Sequence, residues 1–148
     1  MSRYISTKLR KQVAERANFC CEYCLFYESH AFIKFQIEHI ISLKHGGKTV
    51  SDNLAYSCFY CNNSKGTDLG TNLDSDEIIR FFNPRKDDWL NHFELSKHLI
   101  LPKSAIAKAT IKILGVNGEE RLEERLAFYE SGNYPHDNAR KLIGLEVD

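Results

Sequence analysis

Two short cysteine units constrain this chain more than anything else in it. Cys21-Glu22-Tyr23-Cys24 and Cys58-Phe59-Tyr60-Cys61 are C-x2-C pairs with 33 residues between them. A C-x2-C turn sets two thiolates along one edge of a metal tetrahedron, so two such turns complete a four-cysteine zinc site. Their separation exceeds that of a simple zinc ribbon and leaves room for a strand pair between the knuckles. Cys20 competes for the first position, but Cys20 and Cys24 would be spaced C-x3-C, which makes Cys21 the better ligand and Cys20 the spare. A closed set of four cysteines has no open coordination position, so the expected zinc holds the fold and does no chemistry.

The compartment supports metal over disulfides. The N-terminal stretch "MSRYISTKLRKQVAERA" is polar and lacks an apolar leader. No run approaches the roughly 18 apolar residues of a membrane span. The expectation is a cytoplasmic protein without a membrane partner, where cysteines stay reduced. At 148 residues the chain is one ordinary domain, or a small domain with an extension. Its formal net charge of zero argues against a generic nucleic-acid coat. The charge is uneven, however: residues 1–65 hold 9 Lys/Arg against 5 Asp/Glu, and residues 66–148 hold 11 against 15. A basic front half suits a polyanion, and an acidic rear half suits solvent or another protein.

Hydrophobic spacing orders the rest. Residues 6–17 place Leu9, Val13, Ala14 and Ala17 at helical intervals behind a Ser6 or Thr7 cap, with a basic outer face. Residues 32–43, "FIKFQIEHIISL", read as a strand or hairpin, and residues 54–58 as a second strand. Between them Gly46-Gly47 marks a loop, and "FYCNNSKG" enters a brief helix. Beyond it, residues 103–116 and 117–132 read as helices, the second with Leu122, Leu126 and Tyr129 inward and Glu and Arg outward. The expected division is 1–72 as core and 73–148 as a mostly helical extension packed on it. One feature resists this scheme. Glu38-His39 is wedged among Ile37, Ile40 and Ile41, where charge is costly unless paired or bound.

Taken together, "ERANFCCEYC", "IEHIISLKHGG" and "SDNLAYSCFYCNNSKG" resemble the HNH endonucleases, and "FFNPRKDDWLNHF" extends the likeness to one stand-alone subgroup. The resemblance implies an α+β fold with a small, treble-clef-like ββα-metal core, a four-cysteine structural zinc on Cys21, Cys24, Cys58 and Cys61, and helices at either end. It implies a metal-dependent nuclease acting on DNA. By resemblance His39 is the general base, Glu38 and Asn62 ligate a catalytic divalent metal, and Asn53 orients the loop beside the base. Lys65 and His45 would contact the nucleic acid. The roles suit the residue types. Histidine titrates near pH of about 6.5 and so accepts a proton under cellular conditions. Carboxylate and amide oxygens suit Mg²⁺ or Mn²⁺ better than zinc. Many family members carry Asp where Glu38 stands and His where Asn62 stands, which leaves the metal preference open.

Each residue alone has a plainer explanation. Glu38-His39 would serve as a hydrated edge-strand pair, Asn53 as a turn residue, Asn62 as a helix cap and Lys65 as a solvated lysine. Their joint order favours the nuclease. A single-metal site cuts one strand at a time, so double-strand cleavage calls for a homodimer or a recognition or effector partner. The alternatives are a catalytically inactive zinc-stabilised DNA-binding module and an interaction subunit of a larger nuclease or defence complex. That subunit would dock through Glu119 to Arg125.

Overall fold

The computed structural model describes residues 4–147. Its first helix, α1 (Thr7–Arg16), is capped by the Ser6 hydroxyl, which accepts from Leu9 N, and buries Val13 and Ala14. Arg16 in its last turn donates to the Ser51 hydroxyl and to the Leu54 carbonyl, both at 2.8 Å. The outward charge of the helix is thus partly used to hold the loop that follows the Gly pair.

The first knuckle is a tight turn. Cys21 N donates to the Phe26 carbonyl and Leu25 N to the Cys21 carbonyl, both at 2.9 Å, with Leu25 at φ +66°. Strand β1 (Gln36–His39) pairs antiparallel with β2 (Leu54–Ser57), placing Glu38 opposite Ala55 and His39 opposite Leu54. Only four residues of the 32–43 run are strand. The preceding segment is held off the sheet by Glu28, which accepts from Phe35 N at 2.9 Å and from the Tyr56 hydroxyl at 2.6 Å. Ile41 is correspondingly exposed, whereas Ile40 is buried.

Helix α2 (Phe59–Lys65) follows β2 directly, with Cys58 as its N-cap. It packs on β1, completing a ββα unit. The helix therefore begins three residues ahead of Asn62, because the second knuckle itself forms its first turn.

The rear of the chain is less helical than its sequence pattern implies. It contains the pair β3 (Gly70–Thr71) and β4 (Ile79–Arg80), a one-turn α3 (Trp89–His92), and a hairpin of β5 (Phe93–Ser96) and β6 (Leu99–Pro102). Phe93 and Ile100 are buried in that hairpin, and its tight turn uses Lys97 at φ +58°. Helices α4 (Ala105–Leu114), α5 (Glu119–Glu130) and α6 (Asp137–Ile143) close the chain. Gly115 ends α4 in the left-handed conformation, as a C-terminal glycine should.

One hydrophobic cluster joins both halves of the sequence. Trp89 Nε1 donates to the Tyr23 carbonyl at 2.9 Å, and the Tyr134 hydroxyl donates to the Cys24 carbonyl at 2.8 Å. Aromatic groups of the rear half thus satisfy carbonyls of the first knuckle that would otherwise be buried without partners. Glu22, inside the same knuckle, accepts from Tyr56 N at 2.8 Å and pairs with Arg85. Among the described residues no helix is long and apolar enough to cross a membrane.

Candidate active site

The two knuckles converge. The sulfurs of Cys21, Cys24, Cys58 and Cys61 lie within 4.8 Å of one another, and all four residues are buried. Cys20 is buried outside this group. Four thiols so close cannot all ionise unaided. Hydrogen bonding from Cys21, then from Cys58 and Cys61, holds Cys24 well below the usual thiol range. Cys58 is held well above that range, chiefly by Cys21, and Cys61 chiefly by burial. A divalent cation among them removes the conflict, because a coordinating thiol loses its proton outright. The donor set therefore fits a structural metal such as zinc.

The second cluster lies where β1 ends. Glu38 is 4% exposed. Its Oε1 accepts from Lys65 Nζ at 2.6 Å and from the Tyr23 hydroxyl at 3.2 Å. Burial pushes the Glu38 carboxyl up, while Lys65 pulls it back towards the ionised form. Its Oε2 is buried and makes no hydrogen bond among the described residues. His39, the last residue of the strand, points to the other face, and its Nε2 lies 2.9 Å from the Thr49 hydroxyl.

Asn53 organises the loop beside this pair. Its Oδ1 accepts from Ile41 N, and its Nδ2 donates to the carbonyls of Ile41 and Lys48, each at 2.9 Å. Gly46 takes a left-handed φ of +86°. Gly47 is needed for a different reason: a Cβ there would sit 1.7 Å from the Ile41 carbonyl oxygen and 2.8 Å from Asn53 Nδ2. The two glycines thus let the loop turn and then press against the residue that follows Ile40.

Asn62 is half-buried in α2, directly after Cys61. His45 is exposed at the end of a short turn, Leu43–His45. Lys65, expected to contact the nucleic acid, has its ammonium on Glu38. It is 3% exposed and donates to Glu38 and, at 2.9 Å, to the Ile40 carbonyl. An ammonium placed there neutralises the buried carboxylate and cannot also meet solvent.

Glu38 Oε2 is an uncommitted buried oxygen, and Asn62 offers an amide oxygen on the helix packed against β1. Lys65 and Tyr23 hold only Oε1. Oε2 is thus the one oxygen of Glu38 left over for a hard ion.

Beside the cluster is a hollow of about 340 Å³ whose lining includes Ile40, Ile41, Lys65, Arg80, Asn83 and Lys86, with no acidic residue among the described ones. Sequence reasoning missed Tyr23 and Thr49 as neighbours of the site. Tyr23 lies inside the first C-x2-C unit and Thr49 just past Gly46-Gly47, so both stood within the motifs already recognised. Their contacts, Tyr23 with Glu38 and Thr49 with His39, lie 15 and 10 positions apart and carry no local signal.

Residues 21–68 match the family model described as HNH endonuclease. The matched segment starts at the first knuckle cysteine and ends just beyond α2, so it takes in all four cysteines, Glu38, His39, Asn53, Asn62 and Lys65. The four-cysteine cluster is consistent with the zinc-knuckle subgroup of that family. No curated protein and no solved structure matches the chain.

Proposed function

We propose that the HNH domain at residues 21–68 makes this chain a metal-dependent endonuclease that hydrolyses phosphodiester bonds in DNA. The observation that carries this reading is the buried Glu38 Oε2, without a hydrogen bond among the described residues, on the residue next to His39 at the end of β1. In the proposed reaction His39 takes the proton from an attacking water. Thr49 fixes the imidazole, and Asn53 fixes the backbone that follows it. Glu38 and Asn62 are the proposed ligands of Mg²⁺ or Mn²⁺, which supplies Lewis-acid stabilisation of the phosphate charge when bound. Lys65 and Tyr23 hold the Glu38 carboxylate in one orientation, and Lys86 in the adjoining hollow supplies charge towards a phosphate.

A second reading has its own observation. Glu38 already has Lys65 as counter-ion at 2.6 Å and is almost wholly buried, which suits a zinc-stabilised binding or interaction module without cleavage. Supercoiled plasmid incubated with zinc-loaded protein and Mg²⁺ or Mn²⁺ separates the two. The expected outcome is nicked circles from the parent protein and about 10²- to 10⁴-fold slower nicking by His39→Ala. Equal nicking by both proteins overturns the nuclease reading. Nicking by the parent only after a second protein is added places recognition in that partner.

A further inference from the structure

Helix α5 lies wholly outside the matched segment, yet one of its side chains reaches the metal centre. Arg121 Nη2 is 3.0 Å from Cys61 Sγ and 3.6 Å from Cys58 Sγ. Its Nη1 donates to the Leu114 carbonyl at 2.8 Å, and its guanidinium lies over the Tyr60 ring, 5.6 Å from the centroid. The group is therefore fixed by the end of α4, by the second knuckle's aromatic residue and by two sulfurs at once.

This placement runs against local preference. Arg121 occupies the third position of α5, in the first turn, where the helix dipole disfavours a cation and favours an anion. Something outside the helix must compensate, and the two cysteines are the groups in contact that carry negative charge once a metal is bound. Four thiolates around Zn²⁺ leave the centre with a net charge of −2, which is costly in a buried setting. A guanidinium donating to two of those sulfurs offsets half of that charge and makes charge-assisted hydrogen bonds. Arg125, one turn further on, gives the contrast. It is the more deeply buried of the two, at 2% exposed, but its donors go to the His98 and Val116 carbonyls and to Asn117 Oδ1. It clamps backbone, and Arg121 clamps sulfur.

We infer that Arg121 is a positioning residue of the four-cysteine metal centre: through hydrogen bonds to Cys58 and Cys61 it weakens those thiolates as donors, offsets the charge of the centre and slows loss of the ion. The C-terminal segment is thereby a working part of the zinc site. This rests on the metal centre alone and holds whether or not the chain cleaves DNA.

The test uses the full chain with Co²⁺ substituted for zinc, in the parent and in Arg121→Met, Arg121→Lys and Arg125→Met. A hydrogen bond to a coordinated thiolate lowers the energy of its lone pairs, so removing it should move the sulfur-to-cobalt charge-transfer band to lower energy. The expected result is such a shift in Arg121→Met, partial restoration in Arg121→Lys, and an unshifted band in Arg125→Met. Zinc loss to a chelator should be about 10- to 100-fold faster in Arg121→Met, the range found when an outer partner of a ligand is removed. An unshifted band with parental zinc loss in Arg121→Met overturns the inference. An equal shift in Arg125→Met also overturns it, since general loosening of α5 would then be the cause. Should Arg121→Met not fold, Arg121→Lys reads the same band against the parent alone: an unshifted position overturns the inference, and a shift to lower energy supports it.

Discussion

The two polar clusters of this chain are built on opposite plans. The cysteine centre is closed: four like ligands, all buried within 4.8 Å, with a guanidinium from a distant helix on two of them. The Glu38 cluster is partial. One carboxylate oxygen is held by Lys65 and Tyr23, and the other is left without a hydrogen bond among the described residues. The difference teaches what each can do. A closed set of identical donors fixes geometry and has nothing left over for a substrate. An incomplete set keeps a valence in reserve, at the cost of a buried polar atom that is unsatisfied until something binds.

The sharpest way to break the contrast is to strip the closed centre. Chelation of zinc, or Cys58→Ser, should cost on the order of 10 kcal/mol of folding free energy and abolish the cooperative unfolding transition followed by circular dichroism. Retention of that transition in metal-free protein would show that the core stands without its staple. Next in size is Lys65→Met, which leaves Glu38 buried and unpaired. A loss of about 3–5 kcal/mol is expected near neutral pH, as for breaking one side of a buried pair. Burial raises the Glu38 carboxyl above its unfolded value, so its folded form binds a proton more tightly. The loss should therefore shrink as pH falls through the folded value, which denaturant titrations at several pH values would reveal.

Asn53→Ala should cost about 1–3 kcal/mol, since it orphans backbone groups of Ile41 and Lys48. Its effect on nicking should exceed its effect on stability, because the loop it releases adjoins His39. Equal stability and equal nicking would remove Asn53 from the site. The smallest effect concerns the rear half. Hydrogen bonds from Arg80 hold the Asp87 carboxyl below its ordinary value. A depressed carboxyl stabilises the fold above the unfolded pKa and ceases to do so as pH falls through the folded one. Asp87→Asn should accordingly flatten the acid limb of the stability curve and leave its neutral plateau slightly lower.

What could be read from sequence follows the range of each interaction. The knuckles, α1 behind Ser6, β2 and the stop of α4 at Gly115 depend on neighbours a few residues away, and all are where spacing and capping residues put them. The β5–β6 hairpin was obscured because "FELSKHLILP" sits beside helical patterns and its turn rests on a non-glycine residue with positive φ. On α5 the apolar stripe was misleading. Tyr129, expected inward, is exposed, and Arg125, expected outward, is buried, because carbonyls of His98 and Val116 await its donors. Arg121 was hidden for the same reason, its partners being some 60 positions away in the chain. The stretch from Glu119 to Arg125 is thus partly an internal face rather than a free docking surface.

Helix α2 has a consequence of its own. Within seven residues it carries Cys61 for the metal centre, Asn62 beside it, and Lys65 one turn later against Glu38. Each residue on an α-helix advances by about 100° around the axis. Inserting one residue between Cys61 and Lys65 would leave the sulfurs in place and swing the ammonium by that angle, away from Glu38. The two clusters are therefore locked in rotational phase: along this helix the chain has no room to change its count.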